Sequence, residues 1–199
     1  PEPQKLLLVD LQDGSQHELS YTSLPGYNED VLADVKAENA KARGESYKSE
    51  KVIRDIGLMT DWYWGQSAMR WHNNGKQLAV MLKAFDNKDR WIATVDLQTK
   101  KLLPQHRLHD KAWVNYSFND YGWLNGSETL YFLSEESGYA HLYTKALGSK
   151  KATKLTSGTF EVANPVLTHD DQYIYYTANT SHPGIYNVYR QVLASGKTE

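Results

Sequence analysis

At 199 residues the chain can bury a sizeable core, and its 14 tyrosines and 6 tryptophans against 3 methionines favour strands, whose pleated surface suits flat and β-branched side chains. With 22 basic and 24 acidic residues, a net charge of −2 offers no single-signed field for a phosphate backbone or an anionic bilayer, so neither nucleic acid nor a membrane is an expected partner. The lack of cysteine excludes disulfides and thiolate metal sites but leaves the compartment open, a periplasmic or secreted location being favoured over the cytoplasm.

In chain order, KLLLVDLQDGSQHELS reads as two short strands around a turn, the tail of a β-unit over 5–21. GYNEDVLADVKAENAKARGES then reads as a helix within an insertion spanning 27–56. Asn28 is the expected N-cap, Glu29 and Asp30 stand at the positive end of the dipole, Lys41 and Arg43 at the negative end, and Gly44 supplies the stop. Its apolar residues Val31, Leu32 and Val35 form a narrow stripe, which places the helix on the surface.

From there the chain repeats itself. MRWHNNGKQLAVML, YGWLNGSETLYFLS and PVLTHDDQYIYYTA each run a short strand to an anchor (Trp71, Trp123, Leu167), turn at Asn-Gly or Asp-Asp, and enter a second alternating strand. Asn-Gly predicts a tight hairpin because both residues tolerate positive φ. Each phrase is followed by a strand, a leucine (Leu97, Leu147, Leu193) and a polar turn, as at Leu11 near the start. A four-stranded meander recurring about every 45–50 residues has the period of propeller blades. The expected fold is therefore all-β: a partial β-propeller of four-stranded antiparallel blades near 66–109, 116–157 and 160–199, with one inserted surface helix. An ordinary β-sandwich is the alternative. An open array leaves unpaired edges, which implies self-association. The strand pattern at the very start and the final ASGKTE turn suggest a piece of a longer protein.

Chemical motifs are sparse. GQSAM places Gly65 and Ser67 as in the nucleophile elbow G-x-S-x-G, but Met69 stands where the second glycine is required and a strand follows, so no catalytic residue is expected. His106, His109 and Asp110 are spaced along a strand so that the imidazoles face opposite sides, and no metal site is expected. No phosphate-cradling glycine loop is present, and no cofactor is expected. Glu135 and Glu136 in SEESGYAHLY could hold an ammonium group or act as acid and base, provided Ser134–Gly138 is a loop.

The string Ser134, Gly138-Tyr139, His141-Leu142-Tyr143, Leu155–Gly158 and Phe160-Glu161-Val162 resembles a blade in the N-terminal propeller of prolyl oligopeptidase-family serine peptidases, especially the dipeptidyl peptidase IV branch. Weaker similarity covers 71–97 and 165–189. The resemblance implies a propeller that gates and positions peptide substrates for a covalently linked α/β-hydrolase domain, where serine, histidine and aspartate outside this chain cleave the peptide. It places Asn115 and Tyr116 in AWVNYSFND where the family has pocket-lining residues, although the family's arginine is missing, and it makes the segment holding Glu135 and Glu136 an inter-strand loop. The family's glutamate pair for the substrate amino terminus belongs to an earlier motif that has no counterpart here. A non-enzymatic interaction scaffold is the alternative function, since fold does not dictate activity.

Overall fold

The computed structural model describes residues 4–60 and 67–199. Gly65 of the elbow-like string, and the start of the blade expected from residue 66, lie outside the described residues. In chain order the elements are β1 Leu7–Val9, β2 Gln16–Glu18, α1 Ala33–Ala42, β3 Ile56–Leu58, β4 Met69–Trp71, β5 Leu78–Ala84, β6 Asp89–Asp96 and β7 Lys101–His109. They continue with β8 Tyr121–Trp123, β9 Thr129–Ser134, β10 His141–Ala146, β11 Thr153–Lys154, β12 Val162–Leu167, β13 Tyr173–His182 and β14 Ile185–Val192. The fold class is the one expected, all-β with propeller-type antiparallel meanders: the described residues form four sheets, one α-helix and a short 3-10 turn at Tyr21–Ser23. The chain divides into two compact units, residues 1–59 with 81–114 and residues 60–80 with 115–199.

In the first unit β3 pairs with the end of β5 (Ile56 opposite Ala84), and β6 pairs with β7 from Asp89–His109 to Asp96–Lys101. β6 is buried almost throughout, as its run of Trp91, Ile92, Ala93 and Val95 requires. The register of β7 slips at Pro104, which faces Ala93 while His106 faces Ile92. Proline has no N–H for the ladder, so the extra residue, Gln105, bulges there and its amide donates to Thr94 Oγ1 at 3.0 Å.

The helix departs from expectation at its start. It begins at Ala33 with Leu32 in the capping position and no side-chain cap; Asn28 is not its N-cap. The acids of the preceding turn are engaged elsewhere: Glu29 Oε2 takes Arg107 Nη2 at 2.7 Å, and Asp30 accepts from Lys36, Tyr47 and Ser49. These bonds hold residues 28–30 out of helical geometry. The stop is as expected. Gly44 at φ +74° donates to Lys41 O, and Glu45 N–H reaches back to Ala40 O at 2.9 Å, the paired bonds of a Schellman ending.

In the second unit β4 pairs with the first half of β5 (Met69 opposite Val80, Trp71 opposite Leu78). β8 to β11 form a four-stranded antiparallel meander in sequence order, and β12, β13 and β14 form a three-stranded one, to which a bridge between Gln191 and Thr198 adds a short fourth line. Between the last two meanders lies a core of Phe118, Leu133, Leu142, Val162, Ile174 and Tyr176.

The repeated phrase has one geometry at three places. Immediately after each anchor, the backbone N–H of His72, Leu124 or Thr168 donates to the carbonyl five residues on, Gln77, Thr129 or Tyr173, at 2.8, 2.9 and 2.9 Å. The hairpins form as expected, with four-residue connections, but Asn-Gly does not take positive φ at both of its residues in either one. Only the third loop position is left-handed, at Gly75 (φ +70°) and Asp171 (φ +56°); neither Asn74 nor Asn125 is. The reason is side-chain competition. Asn74 Oδ1 captures the N–H of Lys76 at 2.9 Å, while Asn125 and Gly126 turn their N–H groups onto the Asp171 carboxylate at 2.9 and 2.6 Å.

Candidate functional site

In the second unit the backbone gathers the residues singled out from the sequence at one end of the β8–β11 meander. Tyr121 pairs with Phe132, and Leu133 N–H donates to Asp120 O at 3.0 Å. The segment 115–120 leading into β8 and the turn 135–140 leaving β9 therefore share that end. Val162 N–H donates to Ala140 O at 2.8 Å and brings the head of β12 beside the same turn.

Asn115 is spent locally, its Oδ1 accepting Ser117 N–H at 2.9 Å. Tyr116 is 38% exposed, and its carbonyl accepts from the buried Asn119 amide, which fixes the backbone that presents the ring. Ser134–Gly138 leaves the strand as a turn, closed by Gly138 N–H to Glu135 O at 2.8 Å with Gly138 at φ +96°. Glu136 N–H is anchored to Ser134 Oγ at 3.3 Å. Glu135 is half-buried and Glu136 exposed. Tyr143 donates to Ser137 Oγ at 3.1 Å; burial pushes its phenol up, the bond to Ser137 works against this, and the nearby Glu136 charge adds to it. The two pairs thus occupy one end of one sheet, each supported by its own turn.

The structure adds a carboxylate that sequence reading did not weigh as a site residue. Glu161 Oε2 accepts from Tyr186 OH at 3.0 Å, and its backbone N–H donates to Asn179 Oδ1 at 2.7 Å. Asn179 in turn donates to Pro183 O at 3.1 Å. Glu161 was visible only as part of the Phe-Glu-Val string; its partners lie 18 and 25 residues away on β13 and β14.

His141, at the head of the His-Leu-Tyr string, is 1% exposed. Its Nδ1 lies 3.1 Å from Thr156 Oγ1 and its Nε2 lies 3.1 Å from Gly158 O. Burial holds the imidazole below its usual pKa, the Gly158 carbonyl opposes this, and the Lys154 charge reinforces it. Phe160 meets the ring edge-on at a centroid distance of 5.2 Å.

Outside this site, the first unit holds a buried ionic cluster. Asp89, 1% exposed, receives Arg54 Nη1 at 2.6 Å, Arg107 Nε at 2.6 Å and His109 Nδ1 at 3.1 Å. Arg54 also clasps both Asp86 oxygens at 2.7 and 2.9 Å and lies 5.5 Å from the Trp91 ring centroid. His109, considered from the sequence as a metal ligand, is a hydrogen-bond partner of the Asp89 carboxylate. Ser67 spends its hydroxyl on Met69 O at 2.8 Å.

The sequence matches the profile described as dipeptidyl peptidase IV (DPP IV) N-terminal region over residues 32–199. No curated protein matches it. Its fold is similar to Porphyromonas gingivalis dipeptidyl peptidase 4, with a TM-score of 0.62 at 16% identity over 98% of this chain and 22% of that one. It is also similar to a protein of Bacteroides ovatus proposed as a dipeptidyl aminopeptidase IV, with a TM-score of 0.58 at 14% identity over 98% of this chain and 29% of that one. At these identities the likeness speaks to the fold, and the chain spans under a third of either protein.

Proposed function

We propose, from the premise that this chain belongs to the dipeptidyl peptidase IV N-terminal region family, that it is the propeller portion of a serine peptidase and shapes the entry and placement of peptide substrates. Bond cleavage is assigned to a covalently linked α/β-hydrolase domain, in which a serine attacks the peptide carbonyl with histidine as base and aspartate orienting it. The observation that carries this reading is the family match over 168 of the 199 residues (32 to 199 inclusive).

The contribution of this chain is then positional. A propeller admits a narrow extended peptide and refuses a folded protein, and holding the peptide in one orientation lowers the entropic cost of the chemical step. Glu135 and Glu136 supply negative charge at the end of β9 for a cationic peptide group, and the Tyr116 ring offers a flat apolar surface with a polar tip. The test uses the longer protein that carries this chain. It should cleave short peptides and spare the same sequence embedded in a folded domain. Equal cleavage of both would contradict the gating role, and absence of any peptidase activity would favour a scaffold.

A further inference from the structure

We propose that His141 is a protonation-sensitive latch, whose neutral ring holds the segment Thr156–Glu161 against β10 and whose protonation releases it.

The hydrogen bonds around the ring fix its tautomer. Thr156 Oγ1 already accepts the backbone N–H of Leu142 at 3.0 Å, and His141 Nδ1 lies 3.1 Å from the same oxygen. Gly158 O can only accept, so Nε2 carries the hydrogen; Nδ1 is then bare and receives the Thr156 hydroxyl hydrogen. Every donor in this ring of contacts has one acceptor. A second proton on the imidazole would turn Nδ1 into a donor toward a hydroxyl that now points its own hydrogen at it. Thr156 would have to rotate, and its hydrogen would be left to find another acceptor inside a buried pocket.

For the cation, the loss on burial outweighs the help of the Gly158 carbonyl. Opposite His141 on β9 stands Ser134, an uncharged hydroxyl that accepts Glu136 N–H at 3.3 Å. The segment 156–160 contributes a hydroxyl, a carbonyl and the Phe160 ring, and the charge that acts on the imidazole is Lys154 on β11, itself a cation. The segment is also tightly wound. Gly158 sits at φ +146°, and a Cβ there would meet Phe160 at 2.4 Å, so the turn needs glycine. Directly after Phe160 the chain reaches Glu161, tied to Tyr186. Release at His141 therefore extends to the carboxylate at the head of β12.

Two measurements on the full chain test this. Nitrogen-15 spectra of the His141 ring at pH 7.5 should show a protonated Nε2 and a bare Nδ1, with protonation completed only at a pH below that of an exposed histidine. Hydrogen exchange of the Leu142, Leu155 and Val162 amides, corrected for intrinsic rate, should lose protection severalfold between pH 7.5 and 5. His141→Gln, which keeps a donor toward Gly158 and cannot titrate, should abolish that change. The Nδ1–H tautomer, protection indifferent to pH, or an undiminished pH response in His141→Gln would overturn the latch. If the variant does not fold, the ring spectrum and the wild-type exchange decide the matter.

Discussion

Asn73 donates its side-chain amide to the backbone carbonyl of Asn125 at 2.9 Å, and the two residues hold the same position in successive hairpins. Asn125 repeats the gesture toward the next hairpin, its amide reaching His169 O at 3.3 Å and Asp171 Oδ1 at 2.9 Å. The repeat is thus a device for tying consecutive turns together. Asn125→Ala should cost about 1–2 kcal/mol, since it removes several bonds and strips partners from neighbouring acceptors, and Asn73→Ala about half of that. Denaturant midpoints of the two variants check the order; a larger loss in Asn73→Ala would contradict it.

The Asp89 cluster should behave as a buried network. Removing the carboxylate in Asp89→Asn leaves two guanidiniums short of a partner inside the first unit, a loss of about 3 kcal/mol or more. Glu18→Gln, which breaks the exposed Lys5–Glu18 pair, should leave the midpoint unchanged. Urea unfolding in low and high salt separates the cases, because buried pairs are weakly screened. Equal effects from the two substitutions would mean that burial does not set the energetics here.

Stability should fall in two acid steps. His141 is held low by burial, so the stability it contributes is whole above its unfolded value of about 6.5 and fades as pH drops through the folded one. Glu29 is held low by its bond from Arg107. Asp86 is pushed up by burial, but Arg54 outweighs this and leaves it low. Their contribution is complete above about pH 4.5 and disappears as pH falls through their depressed values. Circular dichroism melts from pH 8 to 3 should lose the first increment in the second unit and the next in the first. Glu29→Gln should flatten only the lower step; flattening of the upper step would contradict these assignments.

In the longer protein, Glu135→Gln combined with Glu136→Gln should raise KM about three- to tenfold for peptides with a free amino terminus and leave kcat nearly unchanged, the signature of a lost charge-assisted contact. N-acetylated peptides should not respond. Tyr116→Ala should raise KM for both classes. A fall in kcat at constant KM would assign these residues a different role.

Much of the fold was legible because its signals are local. The anchors Trp71, Trp123 and Leu167 and the turns after them mark the same hairpin three times, and Gly44 ends the helix where a left-handed residue was needed. The turn type was not legible, since it depends on where Asn125 and Asp171 direct their hydrogen bonds across 46 residues. The helix start was missed for a similar reason: Glu29 answers to Arg107, 78 residues away, rather than to the dipole. His141 could be read as part of a family string, but its contacts with Thr156 and Gly158, 15 and 17 residues on, are tertiary.

The central claim is that this chain guides peptides while cleavage occurs elsewhere, and labelling with an active-site-directed fluorophosphonate followed by peptide mapping tests it most directly. The longer protein should carry the label on one serine outside these 199 residues, and the isolated chain should carry none. Stoichiometric modification of Ser67 or any other serine within this chain would contradict the account.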